Sequence, residues 1–175
     1  MVIALWVVGG LLSAIALGVA ALWAMGARLP REHVVTRRLR LAHTPVERVM
    51  AVLRDVEHAG AWRSDVKKVE ILEREPRLMF REHGGHGPIR FEVLELEAAR
   101  MVVRVAPEGS ASWGGRWVYV LAADGAGCVL TITEEGFVEP PIFRALMKHV
   151  FGEASTIEGV MKALAAHLGE ASTPV

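Results

Sequence analysis

An apolar stripe near the carboxyl end of the chain constrains its fold more than any other feature. Between Pro140 and Leu168, apolar residues recur at alternating steps of four and three, which indicates one face of a single long helix. The members of the stripe are Phe143, Met147, Val150, Ala154, Ile157, Met161, Leu164 and Leu168. At about 1.5 Å per residue such a helix is roughly 42 Å long, so it needs a wide concave surface that buries the stripe. Gly152 and Gly159 interrupt it, which indicates either close packing or a helix that bends.

The residues before the stripe alternate with the period of β-strands. Residues 33–42 form the first such segment, and Thr44-Pro45-Val46-Glu47 then has the pattern of a capping box at the start of a short helix. A second short helix or turn carries Trp62. Six further strands are predicted between turn signals, at Val66–Arg74, Leu78–Glu82, Ile89–Glu97, Met101–Ala106, Ala111–Ala122 and Cys128–Phe137. Val93 and Leu94 break the alternation, which predicts a bulge.

This order predicts an α+β fold in which an antiparallel sheet of about seven strands curls around the terminal helix. The order resembles the helix-grip fold of the START-like (SRPBCC) superfamily, in the branch of polyketide cyclases or dehydratases and lipid-transport proteins. The stretches that carry the resemblance are Val49…Asp55…Trp62, Gly114-Gly115-Arg116-Trp117, Thr131–Gly136 and Phe151-Gly152. The resemblance covers roughly Glu32 to Gly169. It implies a hydrophobic cavity between sheet and helix, but no universal catalytic set.

The amino-terminal segment Val2–Ala27 contains no charged residue and is longer than the ~20 residues that cross a bilayer core. It predicts an uncleaved membrane anchor with Trp6 and Trp23 near the two interfaces. A cleaved signal peptide is the alternative, with Ala24 and Gly26 at the cleavage site, but a basic n-region is missing. The arginines that follow the span are Arg28, Arg31, Arg37, Arg38 and Arg40. They place the following domain in the cytoplasm, on a single-pass protein of the cell membrane.

The predicted organisation is therefore an anchor at residues 1–28, a helix-grip domain at 29–170 and a tail at 171–175. Lysine plus arginine and aspartate plus glutamate number 20 each, so no net charge favours a nucleic-acid partner. The single cysteine excludes an internal disulfide. Gly10, Ala14 and Gly18 are spaced four apart and could pair two anchors in a homodimer.

Large apolar side chains on the predicted sheet and helix are the candidate ligand-binding residues. They are Phe91, Met101, Trp113, Trp117, Tyr119, Phe143, Met147 and Phe151. Ligand pockets are mostly apolar with few polar groups, so these residues could line a cavity. The alternative is a packed core without a cavity.

Few residues suggest chemistry. Glu134 and Glu135 are neighbours on a strand, so they point to opposite faces; one could be an inward acid–base group, or pair with Arg37 or Arg116. His83 and His86 flank a glycine-rich loop without a third metal ligand, so no metal site is predicted. Motifs for a nucleophile, a nucleotide or another cofactor are missing.

The sequence therefore predicts a membrane-anchored domain that binds, and could transfer, a hydrophobic small molecule such as a lipid. One alternative is an enzyme of the cyclase or dehydratase type, with Tyr119 or an inward carboxylate as the acid–base group. The other alternative is a non-enzymatic interaction module at the membrane, which an exposed apolar patch would favour.

Overall fold

The computed structural model describes residues 2–85, 87–107 and 112–174. Its elements follow the predicted order. They are α1 (Val2–Ala27), β1 (Glu32–Leu41), α2 (Val46–Arg54), a 3-10 helix (Val56–Ala61), β2 (Val66–Glu73), β3 (Met79–Gly84), β4 (Gly87–Leu96), β5 (Arg100–Pro107), β6 (Trp113–Asp124), β7 (Gly127–Val138), α3 (Pro141–Leu146), a π-helical turn (Met147–Phe151), α4 (Ser155–His167) and β8 (Thr173–Pro174).

The chain forms two compact units. The first comprises residues 1–32 and 138–153, and the second comprises residues 33–137 and 154–175. In the first unit, Trp6–Ala27 is a helix of 22 residues that is long and apolar enough to cross a membrane. In the same unit α3 and the π-helical turn follow β7.

The second unit is built on an antiparallel sheet with the strand order β2-β3-β4-β5-β6-β7-β1-β8. Strands β2 to β7 form a meander, because each short connection returns the chain beside the strand it has just left. The register of β4 against β5 shifts between Val93 and Glu95, so the predicted bulge is confirmed. The seven predicted strands are present, and the two-residue β8 is added beside β1.

The core of the second unit lies between one face of this sheet and α4. Ile157 and Leu164 of α4 are fully buried, in one cluster with Leu39 of β1 and Ile132 of β7. Burying one such side chain contributes about 1.5–3 kcal/mol, so this interface supplies much of the unit's stability. A sheet that packs its concave face on a carboxyl-terminal helix, with short helices after β1, is the predicted helix-grip arrangement. The fold class is confirmed.

The continuity of the predicted terminal helix is wrong. A π-helical turn ends at Phe151, and Gly152 follows with φ +84° before α4 begins at Ser155. Phe143 and Val150 of the apolar stripe are 59% and 63% exposed, the neighbouring Phe151 is 59% exposed, and all three belong to the first unit. The four–three spacing continues across the break, so periodicity alone could not reveal it.

The capping box predicted at the start of α2 is also wrong. Pro45 occupies the N-cap position, and no side chain caps the helix. The Thr44 hydroxyl instead donates to the Glu170 carboxylate at 2.8 Å, which also accepts from the backbone N–H of His43 at 2.7 Å. A partner from the far end of the sequence thus replaces the local one.

Candidate ligand-binding site

Four of the predicted site residues lie on one face of the sheet. Met101 of β5 is opposite Tyr119 of β6, and Val103 is opposite Trp117. Because side chains alternate along a strand and opposed residues share a face, Phe91 of β4 joins them through its register with Val105. This is the face that packs on α4, since Met101 and Val103 belong to the buried core. The structure therefore brings Phe91, Met101, Trp117 and Tyr119 together.

The aromatic side chains on this face form two contacts. The rings of Phe80 and Phe91 stack with centroids 5.0 Å apart, and the rings of Trp117 and Tyr119 meet at 6.1 Å with a tilt of 44°. Met101 is buried, whereas Phe91, Trp117 and Tyr119 keep intermediate exposure although they pack against the core. These aromatic rings therefore border the packed core without being sealed inside it.

The other four predicted residues are Trp113 and three residues of the first unit. Trp113, the first residue of β6, has the same strand parity as Trp117 and Tyr119 and intermediate exposure. Phe143, Met147 and Phe151 belong to the first unit, and the two phenylalanines are exposed. These three are therefore in a different unit from the other predicted residues.

A buried ion pair that the sequence reasoning missed lies on the same side of the sheet. Glu82 of β3 has the same parity as the core residue Phe80, so it points inward. Arg63, from the segment between the 3-10 helix and β2, donates from Nη1 to Glu82 Oε1 at 2.9 Å, and from Nη2 to Asp65 at 2.7 Å. The parity that Glu82 shares with the large apolar Phe80 on β3 was the signal that could have identified Glu82 as an inward carboxylate.

Burial raises the pKa values of two residues in this region, Glu82 and Tyr119. Burial raises the pKa of the Glu82 carboxyl above its ordinary value, and the Arg63 charge offsets only part of this effect. Burial also raises the pKa of the Tyr119 hydroxyl well above its usual range; Arg63 opposes this shift, and Glu82 and Glu134 add to it. Tyr119 therefore stays neutral as a hydrogen-bond donor, close enough to Arg63 and Glu82 that both charges act on it.

Trp62, next to Arg63 in the chain, carries a buried donor. Its indole Nε1 is enclosed and has no hydrogen-bond partner within the part of the chain that the structure describes. Buried N–H groups are nearly always paired, so this donor is an exception among the described residues. Trp62 packs against the core and also lines a groove of about 460 Å³ beside α4.

The two adjacent glutamates of β7 point to opposite faces, as predicted. Glu134 lies 3.6 Å from His33 of β1, and both side chains are largely enclosed. Glu135 accepts a 2.7 Å hydrogen bond from Arg116 of β6, one of its two predicted partners. Arg37, the other candidate, instead pairs with Glu158 of α4 at 2.8 Å. Glu134 is thus the inward carboxylate of the pair.

The remaining candidates for chemistry are the histidines of the glycine-rich loop and the single cysteine. His83 lies 3.2 Å from Glu70 across the β2–β3 pair, and His86 lies outside the described residues. Across residues 2–85, 87–107 and 112–174, no group of three metal-ligating side chains is found. Cys128 is fully buried, and burial raises the pKa of its thiol.

The fold is shared by solved proteins of low sequence identity. The Zhui aromatase/cyclase from Streptomyces sp. R1128 is 18% identical over 79% of this chain and 94% of its own, with a TM-score of 0.63. A START superfamily protein from Mycobacterium smegmatis is 16% identical over 78% and 97%, with a TM-score of 0.59. Norcoclaurine synthase from Thalictrum flavum is 11% identical over 80% and 88%, with a TM-score of 0.62. The chain thus shares its fold with these proteins.

The sequence identifies the family of the protein. Residues 32–169 match the profile of the family described as polyketide cyclase / dehydrase and lipid transport. This match covers most of the chain, so the protein belongs to that family. No curated protein matches the sequence. Membership supports a fold that binds hydrophobic small molecules or acts on them as a cyclase or dehydrase does.

Proposed function

We propose that the second unit binds an apolar molecule with a polar end, such as a lipid, against the inward face of its sheet. Residues 29–170 form the ligand-binding domain in this proposal, and residues 1–28 anchor it in the cell membrane. Transfer of the ligand to or from the bilayer follows naturally from that location.

The observation that carries the proposal is the environment of Tyr119. Tyr119 packs against the core cluster on the inward face of the sheet, and yet its side chain keeps intermediate exposure. A side chain that is surrounded by protein and still reached by solvent is expected on the wall of an interior space. Phe91 and Trp117 have the same intermediate exposure on the same face. Together they offer an apolar wall with a polar end.

The polar end defines the chemistry of the ligand. Tyr119, Arg63 and the unpaired indole N–H of Trp62 are all hydrogen-bond donors. A ligand that places a carbonyl or carboxylate oxygen beside Tyr119 accepts a hydrogen bond from its hydroxyl, while the hydrocarbon part of the ligand contacts the aromatic rings. A fatty acyl chain with its carboxyl group is the simplest molecule with this pattern.

The anchor accounts for access to such a ligand. Trp6–Ala27 has the length and composition of a membrane span, and only a few residues separate α1 from β1. A short linker keeps the domain near the bilayer, where apolar ligands are concentrated. The arginines after α1 favour a cytoplasmic domain on a single-pass protein. Pairing of two spans through Gly10, Ala14 and Gly18, where an added Cβ on Gly10 or Gly18 meets no atom, belongs to the same proposal.

A second candidate function is catalysis of the cyclase or dehydrase type. The observation that favours it is Glu82, an inward carboxyl with a raised pKa beside Arg63 and near Tyr119. A carboxyl whose pKa is raised by burial is suited to proton transfer, and neutral Tyr119 is suited to hydrogen-bond a substrate carbonyl. Conversion of a bound polyketide-like substrate, abolished by Glu82→Gln with binding retained, would establish this function.

The binding experiment uses the full-length chain in detergent, with a fluorescent fatty acid and an alkylpyrene that lacks an acceptor. Saturable binding of both probes is expected. Tyr119→Phe should weaken fatty-acid binding by about threefold to tenfold, the worth of one hydrogen bond, and leave alkylpyrene binding unchanged. Val120→Thr, on the outward side of the same strand, is the control. Absence of saturable binding, or an equal effect of Tyr119→Phe on both probes, would contradict the proposed site.

A further inference from the structure

Within the first unit, α3 is fastened to the carboxyl end of α1 by a buried arginine. Arg144 of α3 donates from Nε to the carbonyl oxygen of Gly26 at 3.0 Å, and from Nη1 to the carbonyl oxygens of Val138 at 2.9 Å and Glu139 at 2.5 Å. Arg144 is only 9% exposed. The guanidinium thus satisfies a carbonyl in the last turn of α1, where backbone acceptors lack helical partners and a positive charge is favourable.

The two helices also approach closely at this point. A Cβ added to Gly26 would lie 1.7 Å from the carbonyl oxygen of Pro141, so only glycine permits the observed contact. Arg31, just after α1, pairs with Glu139 at 3.2 Å, and the Val138 N–H donates to the Arg31 carbonyl oxygen. These contacts fix α3 and the π-helical turn at a defined level on the axis of α1.

That level is the end of the candidate membrane span. The helix α1, Val2–Ala27, has 26 residues and extends about 39 Å, so it is long enough to cross a hydrocarbon core of about 30 Å. Gly26 is the penultimate residue of this span. If the span crosses the bilayer, a segment fastened to Gly26 lies at the boundary between acyl chains and headgroups.

The segment carries the side chains that such a boundary requires. Phe143, Val150 and Phe151 are more than half exposed, at 59%, 63% and 59%. Phe143 lies in α3, and Val150 and Phe151 are the last two residues of the π-helical turn that follows it. Lys148 and His149, which are also exposed, lie between them in sequence, and a helical segment that exposes both large apolar and basic side chains is typical of interfacial binding.

We propose that residues 141–151 form an interfacial segment that inserts Phe143, Val150 and Phe151 into the bilayer leaflet at the carboxyl end of α1. The occupant of this exposed apolar surface is lipid, because the surface is continuous with the span through Arg144 and Gly26. The inference rests on the membrane anchor of the proposed function but not on ligand binding. The chain leaves the interface at Gly152 and enters the second unit at Ala154.

The test uses the full-length chain in vesicles of phosphatidylcholine and phosphatidylglycerol. Separate variants Val150→Cys, Leu17→Cys and Val34→Cys are labelled with an environment-sensitive dye, and the parent chain serves as the blank because Cys128 is buried. Leu17 reports on the span, and Val34, 70% exposed on β1, is an apolar surface residue outside the segment. The readouts are quenching by lipids that carry a nitroxide near the headgroup and quenching by aqueous iodide.

The proposal predicts that the dye at position 150 shows blue-shifted emission, loses fluorescence with nitroxide lipid and is protected from iodide. The dye at position 34 should show the opposite. Adding Phe143→Ser and Phe151→Ser should reverse the pattern at position 150, whereas adding Val120→Thr should not. Ligand binding, measured separately with the fatty-acid probe, should be unaffected by the serine variants.

Three results would overturn the proposal. A solvent-exposed dye at position 150, with lipid quenching kept at position 17, would refute the interfacial segment and leave the anchor standing. Loss of lipid quenching at position 17 would refute the anchor and the segment together. A dye at position 150 that is shielded from both quenchers would show that protein, not lipid, covers the segment.

Discussion

Arg63 and Glu82 form an ion pair at 2.9 Å on the inward side of the sheet, with side chains that are only 18% and 8% exposed. The arginine comes from the segment before β2 and the glutamate from β3, so the pair ties this segment to the face that carries Tyr119. Burial of the carboxylate is unfavourable, and the arginine offsets part of that penalty. The pair therefore places charges and hydrogen-bond donors next to the apolar face of the sheet, and burying these charges lowers the stability of the protein.

The first prediction concerns the two members of this pair. Arg63→Met leaves the Glu82 carboxylate buried without its partner, so the free energy of unfolding should fall by about 3–5 kcal/mol at neutral pH. The loss should be smaller at acidic pH, where Glu82 takes up a proton. Thermal unfolding of the detergent-solubilised chain measures both effects. Arg63→Met combined with Glu82→Leu should regain most of the loss; a double variant no more stable than the single one would contradict the account.

The second prediction compares two glycines of the carboxyl-terminal region. Gly152 has φ +84°, which an alanine adopts only with strain, so Gly152→Ala should destabilise the protein by roughly 1 kcal/mol or more. Gly159 lies inside α4, and an added Cβ there meets no atom, so Gly159→Ala should stabilise the protein by about 0.5–1 kcal/mol. Unfolding midpoints measured side by side check the opposite signs. Equal signs would mean that the helix does not break at Gly152.

The third prediction tests the division of the apolar stripe. Ile157 is fully buried in α4, so Ile157→Ala should cost about 2–5 kcal/mol. Phe151 is 59% exposed, so Phe151→Ala should change the stability by less than about 0.5 kcal/mol in detergent. Chemical denaturation of both variants gives the comparison. A large loss on truncating Phe151 would restore the continuous buried stripe that periodicity alone indicates.

The fourth prediction concerns the Glu170 carboxylate. A hydrogen bond from the Thr44 hydroxyl and further bonds from the backbone N–H groups of His43 and Ala42 lower the pKa of Glu170. Because the folded-state pKa lies below the unfolded value of about 4.3, this carboxylate contributes stability above that value, and the contribution is lost as the pH falls through the folded-state pKa. The unfolding midpoint of Glu170→Gln should therefore lie below that of the parent at neutral pH and converge with it in acid. If the difference between the two unfolding midpoints does not change with pH, the ionised Glu170 carboxylate does not contribute to stability in this way.

The sequence was sufficient for features that depend on local pattern. The alternation of apolar and polar residues predicted the strands, and the adjacent apolar residues Val93 and Leu94 predicted the bulge. Because Glu134 and Glu135 are neighbours on a strand, the sequence also predicted that they point to opposite faces. Each of these follows from the period of a single element.

The features that the sequence did not reveal depend on partners that are distant along the chain. The Thr44 hydroxyl bonds to Glu170 and does not cap α2, and Arg63, which precedes β2, pairs with Glu82 of β3. The sequence did not predict the break in the helix at Gly152, because the four–three spacing of apolar residues continues on both sides of it. The inward aromatic residues could be identified from strand parity, whereas Phe151 could not be assigned to a unit without the fold.

The most direct test of the central claim is native mass spectrometry of the full-length protein released from detergent. Binding of a hydrophobic ligand predicts a second species, heavier than the bare chain by the mass of one lipid-like molecule, whose abundance falls in Tyr119→Phe but not in Val120→Thr. Organic extraction should return that molecule with a carbonyl or carboxyl group. Only bare protein under all gentle release conditions, together with no saturable uptake of the fatty-acid probe, would contradict the claim that this domain binds a hydrophobic ligand.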